Sequence, residues 1–119
     1  MTASELKEAL QGKSEVELTV TGRKSGQEST RPIWFVEEGD RLLLLPIHGT
    51  DTGWYRNIAA TPEIRLATDG AELRVTAKTV EDAAGVADVV EKFIEKYGIA
   101  DRVEQYYPKR NAFVEVPLS

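Results

Sequence analysis

Between Gly22 and Asn57 the chain gathers three elements suited to holding a flat, anionic small molecule. The first is the turn Gly22-Arg23-Lys24-Ser25-Gly26. Two glycines let the backbone turn tightly, the amides and the Ser25 hydroxyl donate hydrogen bonds, and Arg23 and Lys24 supply charge. The same residues also describe a solvated basic hairpin turn. The second element is Arg31-Pro32-Ile33-Trp34, within a predicted strand. Proline removes a ladder donor, which puts that strand at an edge or bulge and leaves backbone and a ring face open to a planar ligand. Trp34, between isoleucine and phenylalanine, equally suits a core. The third is Gly53-Trp54-Tyr55-Arg56-Asn57, two aromatics and two polar donors opening a short predicted helix. Helix N-termini attract anions, and Arg56 and Asn57 are within reach of a phosphate or a ring edge. The alternative packs Trp54 and Tyr55 inside, with Arg56 outside.

His48 is the single histidine, set between Pro46-Ile47 and Gly49 at the predicted end of a strand. There it is placed to donate to a ring carbonyl or to relay a proton, or it is a plain loop histidine. Tyr106 and Tyr107 near the C-terminus are placed to close a pocket, and Tyr107 is with His48 the candidate proton donor. One histidine, no cysteine and no clustered carboxylates argue against a metal site. No G-x-S-x-G elbow, G-x-G-x-x-G fingerprint or Walker A pattern is present.

These residues belong to a chain of 119 residues with a formal net charge of -5, long enough for one domain, expected over 1–119. The acidic balance argues against a general nucleic-acid binder, which needs a basic face. The absence of cysteine removes disulfides and thiolate chemistry. The N-terminal residues lack an apolar signal region, and the longest apolar run, Leu42–Ile47, is too short to cross a bilayer. A cytoplasmic location is therefore expected.

The elements that must position the candidate residues follow from patterning. Thr2-Ala3-Ser4-Glu5 fits a capping box for a first helix with Leu6 and Leu10 on one side and Gly12 as its stop. Val16, Leu18 and Val20 alternate with polar residues as a half-buried strand. A second strand is expected over Arg31–Glu37, turned at Gly39-Asp40 into a third over Arg41–Ile47. The leucine run of that third strand implies cover on both faces. Thr52–Ala60 is expected as a short helix ended by Thr61-Pro62. Two strands flank Asp69-Gly70, a dipeptide that favours a type I′ hairpin. A long helix is expected over Glu81–Tyr97, with Gly98 as its stop, a further short helix over Asp101–Tyr107, and a last strand over Ala112–Leu118. Antiparallel strands joined by tight turns, without parallel crossovers, predict a mainly β (α+β) fold: a small antiparallel barrel or sheet with flanking helices.

Three segments in order carry a resemblance: Thr21-Gly22-Arg23-Lys24-Ser25-Gly26, then Arg31-Pro32, then Trp54-Tyr55-Arg56-Asn57-Ile58 followed by Ala60-Thr61-Pro62. Together they resemble the flavin/deazaflavin oxidoreductase superfamily with the FMN-binding split β-barrel fold, nearest its deazaflavin-dependent nitroreductase or quinone-reductase branch. The resemblance implies a homodimer binding the deazaflavin coenzyme (F-420) or FMN and passing a hydride to a quinone-like or nitro-type acceptor. By the same resemblance Arg23, Lys24, Ser25 and Arg31 face the cofactor's anionic tail. Pro32, Ile33 and Trp34 line the ring plane, with Pro46, Ile47 and His48 along the neighbouring strand. Trp54, Tyr55, Arg56 and Asn57 close the phosphate side. A non-catalytic flavin, deazaflavin or heme carrier and a bare dimerisation module are the alternatives within the same fold.

Overall fold

The computed structural model describes residues 2–118; Met1 and Ser119, the ends of the expected domain span, lie outside them. Eight strands form two antiparallel four-stranded sheets. In chain order β1 is Glu15–Thr21, β2 Glu28–Trp34, β3 Val36–Glu38, β4 Arg41–Leu44, β5 Glu63–Thr68, β6 Ala71–Thr76, β7 Lys78–Val80 and β8 Phe113–Pro117. Four helices accompany them: α1 Ala3–Ala9, α2 Gly53–Ala60, α3 Ala83–Tyr97 and α4 Val103–Tyr106. One sheet has the order β2-β1-β5-β6 and the other β3-β4-β8-β7. The chain passes from the first sheet to the second at both edges, between β2 and β3 and again between β6 and β7. The result is a split barrel with an open seam, not a closed one.

Both crossings correct the expected strand pattern. The strand expected over Arg31–Glu37 starts earlier, at Glu28, and breaks at Phe35. Its cause is a tyrosine far along the chain. The Tyr97 hydroxyl accepts from the Phe35 N–H (3.0 Å) and sits 2.8 Å from the carbonyl oxygens of both Phe35 and Ser14. Lys96 donates to the same Phe35 carbonyl at 2.6 Å, with its ammonium 3.6 Å from the centre of the Phe35 ring. Backbone groups that would otherwise continue a ladder are thus taken by side chains of α3. At the other crossing the Ala77 N–H donates to the Pro62 carbonyl at 2.8 Å, and the strand resumes as β7 in the second sheet.

The third expected strand ends at Leu44 rather than Ile47 and the long helix begins at Ala83 rather than Glu81, while several local expectations hold. The Thr2 hydroxyl accepts from the Glu5 N–H to cap α1, and the Asp82 carboxylate accepts from the Gly85 N–H to cap α3. Gly98 ends α3 at φ 63°, a left-handed conformation that a Cβ disfavours. Asp69 and Gly70 both have positive φ, as a type I′ turn requires, and Thr68 pairs with Ala71 across it. The leucine run is covered on both faces: Leu42 and Leu44 pack between the sheets, while Leu43 and Leu45 pack with Val86, Val89 and Phe93 of α3. No helix among the described residues is long and apolar enough to cross a membrane.

Candidate functional site

The β1–β2 hairpin organises the site. Its register pairs Thr21 with Glu28 beside the turn and Glu15 with Trp34 at the far end. The Gly22–Gly26 segment is the connection itself, closed by Gly22 N–H to the Gln27 carbonyl (2.8 Å) and Gly26 N–H to the Gly22 carbonyl (2.9 Å). Ser25 is spent inside it, its hydroxyl accepting from the Gln27 N–H at 3.2 Å. The turn is docked on α2: the Asn57 Oδ1 accepts from the Arg23 N–H (3.1 Å) and from Arg23 Nη1 (2.8 Å). Asn57 is neutral, so Arg23 keeps an uncompensated charge. Lys24 and Arg31 are exposed and join no ion pair among the described residues.

Pro32 sits on β2, the edge strand of its sheet, where its missing N–H costs no ladder bond. With Ile33 and Trp34 it forms one wall of a cleft of about 200 Å³. Leu45, Ile47, Trp54, Tyr106 and Tyr107 line the cleft as well. Ile47 and Tyr106 stand at the mouth with 49% and 39% of their surface exposed, the two large apolar side chains left out of the core. Trp34 is held by stacking: its ring lies 4.0 Å from Tyr97 at 6° between planes, with Tyr106 at 5.3 Å and Tyr107 edge-on at 6.4 Å. An aromatic pair at this separation is fixed by both burial and ring electrostatics.

Tyr107 is 3% exposed, and burial pushes its phenol above the ordinary value. Its hydroxyl makes no hydrogen bond among the described residues. Yet no fully buried side-chain oxygen among them lacks a partner. The hydroxyl is therefore not fully buried, and the residue lines the cleft. Among the described residues this donor has no acceptor.

Other expected site residues lie elsewhere. Tyr55 is buried and donates to Glu81 Oε2 at 2.8 Å, turned from the cleft; burial, reinforced by that carboxylate, pushes its phenol up to about 12. Arg56 is engaged by the Asp51 carboxylate (3.1 Å) and the Thr50 carbonyl (3.2 Å). Lys109, then Arg56, hold the Asp51 carboxyl below its usual range. Pro46 is buried, and His48 is exposed, its N–H donating to the Thr52 hydroxyl at 2.9 Å; neither lines the cleft. The loop they occupy turns at Gly49, φ 54°, where a Cβ would collide with the Asn111 side chain.

Two cleft residues were not among the sequence candidates, Leu45 and Glu15. Glu15 was legible in the hairpin: counting back from the Gly22–Gln27 closure in antiparallel register places it opposite Trp34. In the sequence Tyr97 is legible only as the end of the expected long helix, because its stacking on Trp34 depends on a contact between residues 63 positions apart.

A family model described as F420H(2)-dependent quinone reductase matches residues 1–105. An F420H(2)-dependent quinone reductase of Mycobacterium tuberculosis is 33% identical over 67 residues, 54% of this chain and 45% of that protein. The match thus spans about half the length of that curated relative. Among solved structures, an F420-H2 dependent reductase superposes with a TM-score of 0.68 at 23% identity, over 87% of this chain and 94% of its own. A structure described as a domain-swapped dimer superposes with a TM-score of 0.69 at 22% identity, over 95% of each chain. These two likenesses carry the fold alone.

Proposed function

This chain belongs to the F420H(2)-dependent quinone reductase family, and from that premise we propose that it is a deazaflavin-dependent oxidoreductase passing a hydride to a quinone-like acceptor. The observation that carries the reading is Tyr107, whose hydroxyl has no partner among the described residues, in a cleft lined mostly by apolar and aromatic side chains. A volume of about 200 Å³ is below the ~300–1,000 Å³ of sites for drug-sized ligands and suits the one or two rings of a small acceptor.

The residues present fit a deazaflavin. Lys24 and Arg31, exposed and without an ion pair among the described residues, offer cations to an anionic tail, Arg23 adds charge held in place by Asn57, and Pro32 and Trp34 offer flat apolar surface along β2. When bound, the reduced cofactor supplies the hydride. The chain supplies position and a proton. Trp34, fixed by Tyr97, and Trp54 orient a flat acceptor, and Ile47 and Tyr106 exclude water at the mouth. Tyr107 donates to the acceptor oxygen on which negative charge develops. Its raised pKa keeps the phenol protonated and so able to donate. His48 has no part in this arrangement.

The chain acts as a homodimer in the same proposal. Glu28–Pro32 of β2 are all exposed, and the strand's outer edge is unpaired. Such an edge is normally covered, and a second copy is the cover proposed. Titration of the purified protein with F420 and with FMN, followed by cofactor fluorescence, tests the binding half. Saturable binding of F420 at micromolar concentration or tighter is expected, weakened by Lys24→Ala and Arg31→Ala. Unchanged affinity in both variants would remove the anion site from this turn.

A further inference from the structure

We infer that Glu15 makes the cleft charge-selective, so that it takes neutral or cationic flat aromatic acceptors and disfavours anionic ones. This rests on the reading of the cleft as the acceptor site. Glu15 is the one formally charged residue among those lining it; the rest are aliphatic, aromatic or proline. It stands directly across the hairpin from Trp34. Among the described residues it has no ion pair and no side-chain hydrogen bond, so no counter-charge cancels its field. That field reaches the aromatic floor: after burial, the Glu15 carboxylate is a further cause of the raised Tyr97 phenol, and Tyr97 is the ring on which Trp34 stacks.

Lys24 and Arg31, which join no ion pair among the described residues, lie toward the other end of the same hairpin. Arg31 pairs with Leu18, and Lys24 is in the turn beyond Thr21. Glu15 and Thr21 are six residues apart on one strand, about 20 Å at the rise of a β-strand. A bound molecule with an anionic tail therefore meets attraction at one end and repulsion at the other. The polarity both orients the cofactor and sorts the acceptor.

The carboxylate is exposed, so its effect is moderated by water and weakened by salt: a penalty of about 3- to 10-fold on an anionic ligand is expected at low ionic strength. The test uses 1,4-naphthoquinone and its 2-sulfonate as probes and reads binding by quenching of Trp34 and Trp54 fluorescence. In Glu15→Gln the sulfonate is expected to gain about 3- to 10-fold in affinity relative to the neutral quinone, and in Glu15→Lys more. Added salt is expected to shrink the wild-type discrimination. The same ratio of affinities in wild type and both variants would overturn the inference while leaving the proposed function standing. Charge discrimination by a protein that reduces neither quinone with F420H2 would uphold the inference and overturn the function. Absence of saturable quenching by either probe in folded protein would overturn both.

Discussion

Tyr107 is 3% exposed, yet its hydroxyl is not fully buried and has no hydrogen-bond partner among the described residues. Because the Tyr107 hydroxyl makes no hydrogen bond among the described residues, removing it breaks none of theirs. Tyr107→Phe is expected to leave the melting temperature nearly unchanged and to lower kcat for quinone reduction by about 100-fold, the scale of losing one hydrogen-bond donor to a developing oxyanion. Steady-state kinetics beside a thermal melt check this; equal kcat in the two proteins would strip Tyr107 of its role. Ionisation of Tyr107 is shifted upward by burial, so no fall in kcat from its deprotonation is expected below pH 10, its ordinary value. Glu15 and Tyr107 illustrate different kinds of legibility. The first follows from counting register along one hairpin. The second was visible only as a tyrosine beside a proline, since its isolation depends on Trp34 and Phe93 from distant elements.

Among elements, the decisive contact is between the β1–β2 turn and α2. Asn57 takes both the backbone and the side chain of Arg23, so it acts as the latch that sets where the basic turn points. Asn57→Ala and Arg23→Ala are each expected to weaken cofactor binding several-fold. Their double mutant is expected to lose less than the product of the two, because both remove one interaction. Strict multiplicativity of the three dissociation constants would mean that the latch does not couple to the site. The latch was not readable as a pair, although both partners were candidates, because they lie 34 positions apart with three strands of two sheets between them. The leucine run, the Asp69-Gly70 turn and the α1 and α3 caps were readable because each depends on neighbours a few positions away. The breaks at Phe35 and Ala77 were not, since apolar residues continue through both and their causes lie in Tyr97 and Pro62.

At the scale of the whole molecule, the split barrel buries phenols at two separate joints. Tyr55 ties α2 to Glu81, ahead of α3, and Tyr97 ties α3 to the β2–β3 crossing. Burial is the leading cause that pushes each to about 12. A group whose pKa is raised on folding contributes stability that is fully present below its unfolded value, here 10.0, and is lost as pH rises through the folded value. Stability is therefore expected to fall as pH climbs from 10 toward 12, with a shallower fall in Tyr55→Phe. Urea unfolding at a series of alkaline pH values reads this out, and a flat profile across that window would contradict the buried phenols.

Hydride transfer itself is the most direct test. F420H2 is mixed with the protein and a neutral quinone, and return of the oxidised cofactor's absorbance is followed in wild type and Tyr107→Phe. Catalysed reduction by the wild type, strongly diminished in the variant, is expected. A rate no greater than that of cofactor and quinone without protein, in a sample shown to bind F420, would mean that this chain carries the cofactor and does not use it.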